Sequence, residues 1–270
     1  VSHGENIAIP VAAPVLWNAE QPYLYTLTLQ AGAETIEQKV GIRTISVEDG
    51  KILINGKQVK FRGVNRHDSN PYTGAAVTRE DVIRDLQLMK ESNVNAIRTS
   101  HYPNAPYFPE LCNEYGFYMI AEADLESHGV GTLYTNDGHD CMGYIAQDDA
   151  WAESILDRQK RNVIRDKNQS AVIFWSLGNE SGYGGNFEDA GRWVKAYDPT
   201  RLLHYEASIY DSAGYHNDVS MLDVMSRMYA DTEWVKEYCE DRRMRKPFIQ
   251  CEFIHAMGNG PGDIHDYMEL

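Results

Sequence analysis

The sequence contains one stretch, Val172-Ile-Phe-Trp-Ser-Leu-Gly-Asn-Glu180, in which a run of apolar, strand-forming residues ends abruptly in a polar loop. This pattern predicts a buried β-strand whose carboxyl end opens into the loop that carries Glu180. A carboxylate at such a place is either a catalytic group at the mouth of a barrel or a loop acid in an ion pair. The stretch alone leaves both interpretations open.

The alternation of strand, loop and helix extends to both sides of this stretch. It predicts a parallel sheet with crossover helices. Each predicted strand is followed by His, Glu, Asn or Tyr, which favours a (β/α)8 barrel, where chemistry gathers at the carboxyl ends of the strands. A doubly wound open sheet, with its ligand at one switch point, is the alternative. Besides the opening strand, six others are predicted, over 59–65, 93–100, 117–124, 202–206, 219–228 and 247–252.

Residues 1–46 carry a different pattern, with predicted strands over 23–29 and 36–45 and a hairpin loop over 31–34. Two or three strands cannot bury a sizeable core alone. The segment is therefore either the end of a β-sandwich domain or a strap on the main domain, residues 47–270. With seven strands and no eighth, we expect the barrel to lack its last strand. Because the chain has no initiator Met, we expect it to be a piece of a longer protein.

Composition limits the partners. The chain has 270 residues and a formal net charge of −15, which repels phosphate backbones and anionic membranes, so we expect neither nucleic acid nor membrane as a partner. No apolar run approaches the roughly 20 residues needed to span a bilayer. The four cysteines show no CxxC spacing, which predicts free thiols and a reducing, cytoplasmic location.

Two glutamates, Glu180 and Glu252, end the fourth and seventh predicted strands. In a barrel these two strand ends face each other across the mouth. Paired carboxylates are what cleavage of a glycosidic bond requires. One such glutamate is more often a structural ion-pair partner, but two at matching strand ends favour catalysis. The sequence has no motif of a nucleotide-binding protein, serine hydrolase or zinc protease.

Three histidines, His67, His101 and His128, follow the first three barrel strands. A single histidine there is more often a hydrogen-bonded structural residue, whereas three at successive strand ends would converge on one pocket. Glu126 lies two residues before His128, and this pair could hold one cation. Mixed oxygen and nitrogen ligands suit Mg²⁺ or Mn²⁺.

These residues lie in stretches that resemble glycoside hydrolase family 2, and within it the large bacterial enzymes that cleave β-galactosides. The resemblance extends from about residue 17 to 263. It rests on Phe61-Arg-Gly-Val-Asn-Arg-His67, Ala96-Ile-Arg-Thr-Ser-His-Tyr-Pro-Asn104, Glu122-Ala-Asp-Leu-Glu-Ser-His-Gly129, Trp175-Ser-Leu-Gly-Asn-Glu-Ser-Gly182 and Cys251-Glu-Phe-Ile-His-Ala-Met-Gly-Asn259.

The resemblance implies a retaining hydrolase, with Glu180 as general acid/base and Glu252 as nucleophile. It implies a β-galactoside such as lactose as substrate. It also implies Mg²⁺ bound by Glu126, His128 and Glu180, with Na⁺ possible in a full-length parent, which would be a homo-oligomer. The implied sugar-binding residues are His67, His101, Asn179, Tyr229 and His255.

The same resemblance implies that residues 1–46 are the C-terminal part of an immunoglobulin-like sandwich that precedes the barrel. Two alternatives to a β-galactosidase stay open. One is a β-glucuronidase or β-mannosidase, although a glucuronidase needs a basic pocket and the strand ends show no Arg or Lys cluster. The other is a non-catalytic carbohydrate-binding piece.

Overall fold

The structure, a computed structural model, begins with an antiparallel hairpin, β1 (Tyr25–Ala31) and β2 (Glu34–Val40). Gly32 lies in the turn with a φ of 61°, a conformation that glycine adopts readily. The hairpin expected over residues 31–34 is therefore confirmed. The residues that the structure describes are 8–133, 143–210, 216–241, 243–256 and 262–270.

A small antiparallel sheet follows, made of β3 (Ile45–Glu48), β4 (Lys51–Ile54) and β5 (Lys57–Gln58). Asn55 and Gly56 connect β4 to β5 with φ values of 55° and 72°. Positive φ at both central residues is what a tight type I′ hairpin needs. Because β3 begins at Ile45, it crosses the expected boundary between residues 46 and 47, and that boundary stays a prediction.

Seven further strands are described, and they form two parallel sheets. Their bounds are β6 (Gly63–Arg66), β7 (Ala96–Thr99), β8 (Tyr118–Glu122), β9 (Val172–Ser176), β10 (Leu202–His204), β11 (Met225–Met228) and β12 (Phe248–Glu252). The first five pair in the order β6-β7-β8-β9-β10, and β11 pairs with β12. The predicted α/β architecture with parallel strands is confirmed.

The two parallel sheets touch at both of their outer edges. The backbone N–H of Asp223, just before β11, donates to the carbonyl of Leu203 in β10 at 2.9 Å. On the other side, Nδ2 of Asn65 in β6 donates to the carbonyl of Cys251 in β12 at 3.0 Å. No strand pairing joins the two sheets within the described ranges. The expectation of a barrel that lacks its last strand stays a prediction.

Helices connect the parallel strands. The first begins at a capping box, in which Thr78 accepts from the backbone of Asp81 and the Asp81 side chain accepts from that of Thr78. This cap satisfies two free N–H groups at the helix start. The helices are α1 (Arg79–Glu91), α2 (Tyr107–Tyr115), α3 (His128–Leu133), α4 (Tyr144–Gln147), α5 (Ala152–Asp166), α6 (Gly185–Tyr197), α7 (Thr232–Glu240) and α8 (Ile264–Glu269).

One local prediction differs from the structure. The strand expected over 202–206 ends at His204, and a 3-10 turn covers Glu206–Ile209. The chain leaves the sheet here because the side chains of Tyr205 and Glu206 bond to the loop after β9.

The hydrophobic core surrounds β9, whose residues are all buried. Trp175 is fully buried, and its indole N–H donates to Asp198 at 2.9 Å. Cys112, Cys239 and Cys251 are free thiols, as expected. Across the described ranges, no helix has the length and apolar composition needed to cross a membrane.

Candidate active site

The loop after β9 carries Glu180 and is pressed against the loop after β8. Gly178 has a φ of 141°, and a Cβ there would lie 2.7 Å from Leu125, so only glycine fits without displacing the neighbouring loop. The backbone N–H of Asn179 donates to the Leu125 carbonyl at 2.8 Å. Glu180 itself has a φ of 39°, a left-handed conformation that is uncommon for this residue type. The position of Glu180 therefore depends on contacts that hold this loop.

Glu252, the last residue of β12, is held at both carboxylate oxygens. Arg98 donates to Oε1 at 2.8 Å, and the Tyr229 hydroxyl donates to Oε2 at 2.6 Å. Burial and the nearby Glu252 carboxylate raise the pKa of Tyr229, so this hydroxyl keeps its proton and remains a donor. Charge-assisted hydrogen bonds of this kind fix a carboxylate in direction as well as position.

Arg98, in β7, joins three strand ends through one guanidinium group. Besides Glu252, it donates to Glu122 at the end of β8 at 2.6 Å and to Oδ1 of Asn179 at 2.7 Å. Only 3% of its side chain is exposed. Burial alone would lower the pKa of Arg98, but the surrounding carboxylates raise it. A permanent positive charge therefore lies between Glu252 and the residue that precedes Glu180.

His101 lies between Glu122 and Glu252. Its Nδ1 lies 2.7 Å from Glu122, and its Nε2 lies 3.6 Å from Glu252. Burial opposes ionisation of Glu122, but Arg98 and His101 outweigh it and lower the pKa of this carboxyl. The His67 ring lies 5.4 Å from that of His101, and partial burial together with His101 lowers the pKa of His67. His67 and His101 thus occupy the same pocket as Glu252.

The surroundings of Glu180 raise its pKa, whereas those of Glu122 lower the pKa of that carboxyl. Partial burial raises the pKa of Glu180, and the charges of Glu126 and Glu252 raise it further, while His128 opposes them. Nδ1 of His128 lies 3.1 Å from the Glu180 carboxylate. Arg98 joins the two strand ends, because it donates to Glu252 at the end of β12 and to the side chain of Asn179, which precedes Glu180 in the loop after β9.

Glu126, His128 and Glu180 form a group that could hold a metal ion. One donor atom from each of the three lies within 4.8 Å of the others. Glu126 also accepts from the Asn179 side-chain amide and, at 3.2 Å, from the backbone N–H of His128. Two carboxylates and one imidazole, partly open to solvent, suit a hard divalent cation that keeps several waters.

Two residues that follow β10 hold the Glu180 loop from the other side. Glu206, only 2% exposed, accepts the backbone N–H of Glu180 at 2.9 Å. The Tyr205 hydroxyl accepts the backbone N–H of Ser181 at 3.1 Å and donates to the Gly182 carbonyl at 2.9 Å. Burial raises the pKa of Glu206 to about 8.

His255 and Tyr229, two of the implied sugar-binding residues, and two nearby aromatic residues lie in different surroundings. His255 is exposed, three residues beyond Glu252. Tyr102 holds the loop after β6, because its hydroxyl accepts the backbone N–H of Asp68 at 2.9 Å. Phe253 packs against Tyr267, with ring centroids 5.2 Å apart. Tyr229 is half exposed beside Glu252, so among these aromatic residues it is the one best placed to meet a ligand.

Sequence reasoning missed Arg98, Glu122 and Glu206 as site residues. Each is a charged residue inside or directly after a short apolar strand, and burial of an unpaired charge is costly. That signal predicts an ion pair or a functional group, but it does not name the partner. Arg98 and Glu252 are 154 positions apart, and only the folded sheet brings them together.

The parallel α/β fold and the two facing glutamates point to the class of barrel glycosidases. Residues 45–270 match the model of glycosyl hydrolases family 2, TIM barrel domain, and residues 1–43 match a second model, glycosyl hydrolases family 2. The chain belongs to glycosyl hydrolase family 2.

Relatives of this chain carry the name beta-galactosidase. The protein from Actinobacillus pleuropneumoniae is 50% identical over 275 residues, covering 94% of this chain and 27% of the relative. The protein from Kluyveromyces lactis is 40% identical, covering 97% of this chain and 27% of the relative. The chain thus spans about a quarter of the length of the curated relatives it matches.

Solved structures of other glycosidases share the fold. The β-D-glucuronidase of Dictyoglomus thermophilum matches with a TM-score of 0.73 and 26% identity, over 92% of this chain and 46% of that one. A β-glucuronidase from Ruminococcus gnavus in complex with uronic isofagomine matches with a TM-score of 0.74 and 25% identity, over the same shares.

Proposed function

We propose that this chain carries the catalytic residues of a retaining β-galactosidase. The observation that carries the proposal is the contrast between the two facing carboxylates. Glu252 receives hydrogen bonds from Arg98 and Tyr229, which aim a charged carboxylate, whereas partial burial raises the pKa of Glu180. Two carboxyl groups with opposed environments suit an acid and a nucleophile in glycoside cleavage.

In the proposed reaction, the Glu252 carboxylate attacks the anomeric carbon and forms a glycosyl ester. The bond to the leaving oxygen breaks as Glu180 transfers its proton to that oxygen. In the second step Glu180, now a carboxylate, takes a proton from water, whose oxygen attacks the anomeric carbon. Glu252 is released as a carboxylate, and the sugar keeps its configuration after two displacements.

The sugar would lie between Glu252 and the histidine pair. Asn179, held by Arg98, would contact the hydroxyl next to the anomeric carbon, and His67 and His101 would line the sugar subsite. Tyr229 would hold the nucleophile, and His255 would reach the sugar from its exposed loop. Support comes from the clustering of Asn179, His101 and Tyr229 around one network.

Mg²⁺ is the ion that we propose for Glu126, His128 and Glu180. The donor set fits, because three donor atoms of suitable chemistry already lie within 4.8 Å of one another and leave positions open for water. The bound ion would supply positive charge beside Glu180. Glu126 would also orient Asn179, whose side-chain amide donates to it. Cytoplasmic location and homo-oligomeric assembly stay predictions.

A β-glucuronidase is the second candidate, because the matching solved structures include such enzymes. That activity needs a cation free to bind the sugar carboxylate. Among the described residues that bond to Glu252, the buried cation is Arg98. Its guanidinium already donates to Glu122, Glu252 and Asn179. The relatives at 40% to 50% identity carry the name beta-galactosidase, which supports the galactoside.

A panel of nitrophenyl β-glycosides tests the proposal. It is measured on this chain and on a chimera in which this chain replaces the aligned segment of the Actinobacillus pleuropneumoniae relative, with the unmodified relative as control. We expect kcat/KM to be highest for the galactoside and lost in Glu252→Gln. A preference for the glucuronide or mannoside would replace the substrate assignment. Galactose binding without turnover in both forms would favour a carbohydrate-binding role.

A further inference from the structure

We infer that Glu206 is a positioning residue that holds Glu180 in its catalytic conformation through the backbone. The inference rests on the proposed function of Glu180 and adds a residue to its support. Its role is set by one hydrogen bond to the backbone, from the Glu180 N–H to Oε1 of Glu206 at 2.9 Å.

The backbone of the loop that carries Glu180 is held at three consecutive residues. Three consecutive N–H groups point to three different acceptors: Asn179 to the Leu125 carbonyl, Glu180 to Glu206, and Ser181 to the Tyr205 hydroxyl. Glu180 is held at a φ of 39°, and such a conformation persists only where its surroundings impose it. Of the three acceptors, the Glu206 carboxyl is the one that meets the strained residue itself.

Burial makes this contact specific. Glu206 is 2% exposed and lies in the turn directly after β10. A buried carboxyl group is costly unless its oxygens are bonded, and a buried N–H without an acceptor is costly too. Each group therefore satisfies the other. Tyr205, the preceding residue, holds Ser181 and Gly182 in the same way, so the end of β10 supports the whole turn.

The reach of the side chain and its ability to ionise can be tested separately at residue 206. Gln keeps the reach and an acceptor oxygen but cannot ionise, whereas Asp can ionise but has a shorter reach. If Glu206 acts as a backbone acceptor, Glu206→Gln retains most of the function and Glu206→Asp and Glu206→Ala lose it. If an ionisable carboxyl were what matters, Glu206→Asp would retain the function and Glu206→Gln would lose it.

Amide hydrogen exchange of the peptide that contains Glu180 gives the first readout, and it needs no activity. We expect exchange about two- to tenfold faster in Glu206→Asp and Glu206→Ala than in Glu206→Gln, the change that follows from losing one net hydrogen bond. Glu188→Ala is the matched control, because Glu188 is also a buried acid that accepts a backbone N–H, from Asp218 at 2.8 Å, on the outer helix α6. We expect Glu188→Ala to leave the amide exchange of the Glu180 peptide as slow as in the unmodified chain.

Leaving-group dependence gives the second readout, measured in whichever form, chain or chimera, hydrolyses aryl galactosides. A misplaced acid matters most for a poor leaving group, so we expect Glu206→Asp to lower kcat/KM for phenyl galactoside about 100-fold. For dinitrophenyl galactoside, which departs without a proton, we expect a loss of less than about tenfold. A purely structural defect would lower both rates equally.

The outcomes separate the two proposals. Normal exchange at Glu180 in a folded Glu206→Asp chain, or Glu206→Gln behaving like Glu206→Ala, would overturn the positioning role. If Glu206→Ala does not fold, the comparison of Gln with Asp still decides. If neither form hydrolyses any aryl glycoside but the exchange pattern holds, the proposed function fails while the backbone role of Glu206 stands.

Discussion

Arg98 is the residue on which the geometry of the site depends most. Its guanidinium donates to Glu122, Glu252 and the Asn179 side chain at the same time. Five N–H donors in a fixed plane allow this, whereas an ammonium group is a single point charge. The relative placement of Glu252, the proposed nucleophile, and of Asn179, the residue before Glu180, therefore follows from one side chain.

Replacing Arg98 by Lys tests this role. In whichever form hydrolyses aryl galactosides, chain or chimera, we expect kcat to fall by about 100-fold, because Lys cannot hold Glu252 and Asn179 together. Arg161→Lys is the matched control, since Arg161 lies on the surface in a pair with Asp157 and is 79% exposed. Rates are compared at a temperature where circular dichroism shows both variants folded. An Arg98→Lys enzyme with near-normal kcat would contradict this account of the site.

His204, in the interior below the site, predicts the pH dependence of stability. Burial and the nearby Arg98 charge lower the pKa of His204 to about 4. The unfolded chain takes up a proton near pH 6.5 and the folded chain does not, so this residue makes stability fall as pH drops from about 6.5 towards 4 and has no effect above that window.

The size of this effect is at most about 3 kcal/mol for one histidine. We expect urea unfolding at pH 7 and pH 4.5 to show a smaller loss of the free energy of unfolding in His204→Gln than in the unmodified chain. His265→Gln, at an exposed histidine, is the control and is measured under the same conditions. Equal loss in His204→Gln and in the unmodified chain would contradict the assignment.

At the scale of elements, α2 ends where two parts of the chain approach closely. Gly116 caps this helix with a φ of 76°, and a Cβ there would lie against the carbonyl of Ala19. Lys90 of α1 donates to the carbonyls of both Ala19 and Gly116. The helix end, the N-terminal segment and α1 therefore meet at one point where only glycine fits.

Gly116→Ala is expected to lower the free energy of unfolding by more than about 2 kcal/mol, since left-handed strain and overpacking add. Gly56→Ala is the control. Gly56 has a similar φ of 72° but open space around it, so only the strain of about 1 kcal/mol applies. Urea unfolding of the two variants measures the difference. Equal losses would show that the approach of Ala19 imposes no constraint.

The helices and strands were largely predictable from the sequence, but the side-chain contacts between them were not. The run Val172–Ser176 and the other apolar runs predict strands because they alternate with helical patterns of the right length. The end of β10 was misplaced, since the aromatic Tyr205 extends the strand-like run that starts at Leu202, and only the bonds of Tyr205 and Glu206 to the Glu180 loop turn the chain away. Likewise, Glu180 and Glu252 were selected by their strand-end positions, but Arg98, which bonds to Glu252 and to Asn179 beside Glu180, was not.

At the scale of the whole molecule, the strand that leads to Glu180 is anchored at its start as well. Arg43, from the segment before β3, donates to the carbonyls of Ser170 and Val172, each at 2.6 Å. Arg201 donates to the same Val172 carbonyl at 2.9 Å. The N-terminal segment thus packs directly on β9, and the site at the other end of this strand rests on contacts from both parts of the chain.

Covalent trapping tests directly whether Glu252 is the nucleophile. The reagent is a dinitrophenyl galactoside that carries fluorine on the carbon next to the anomeric centre. With this reagent the glycosyl-enzyme forms quickly and is hydrolysed slowly. Applied to the form that turns over aryl galactosides, it is expected to leave the fluorosugar on Glu252, identified by mass spectrometry of the digested protein, and to leave Glu252→Gln unlabelled. An adduct on any other residue, or turnover without an adduct, would contradict the account.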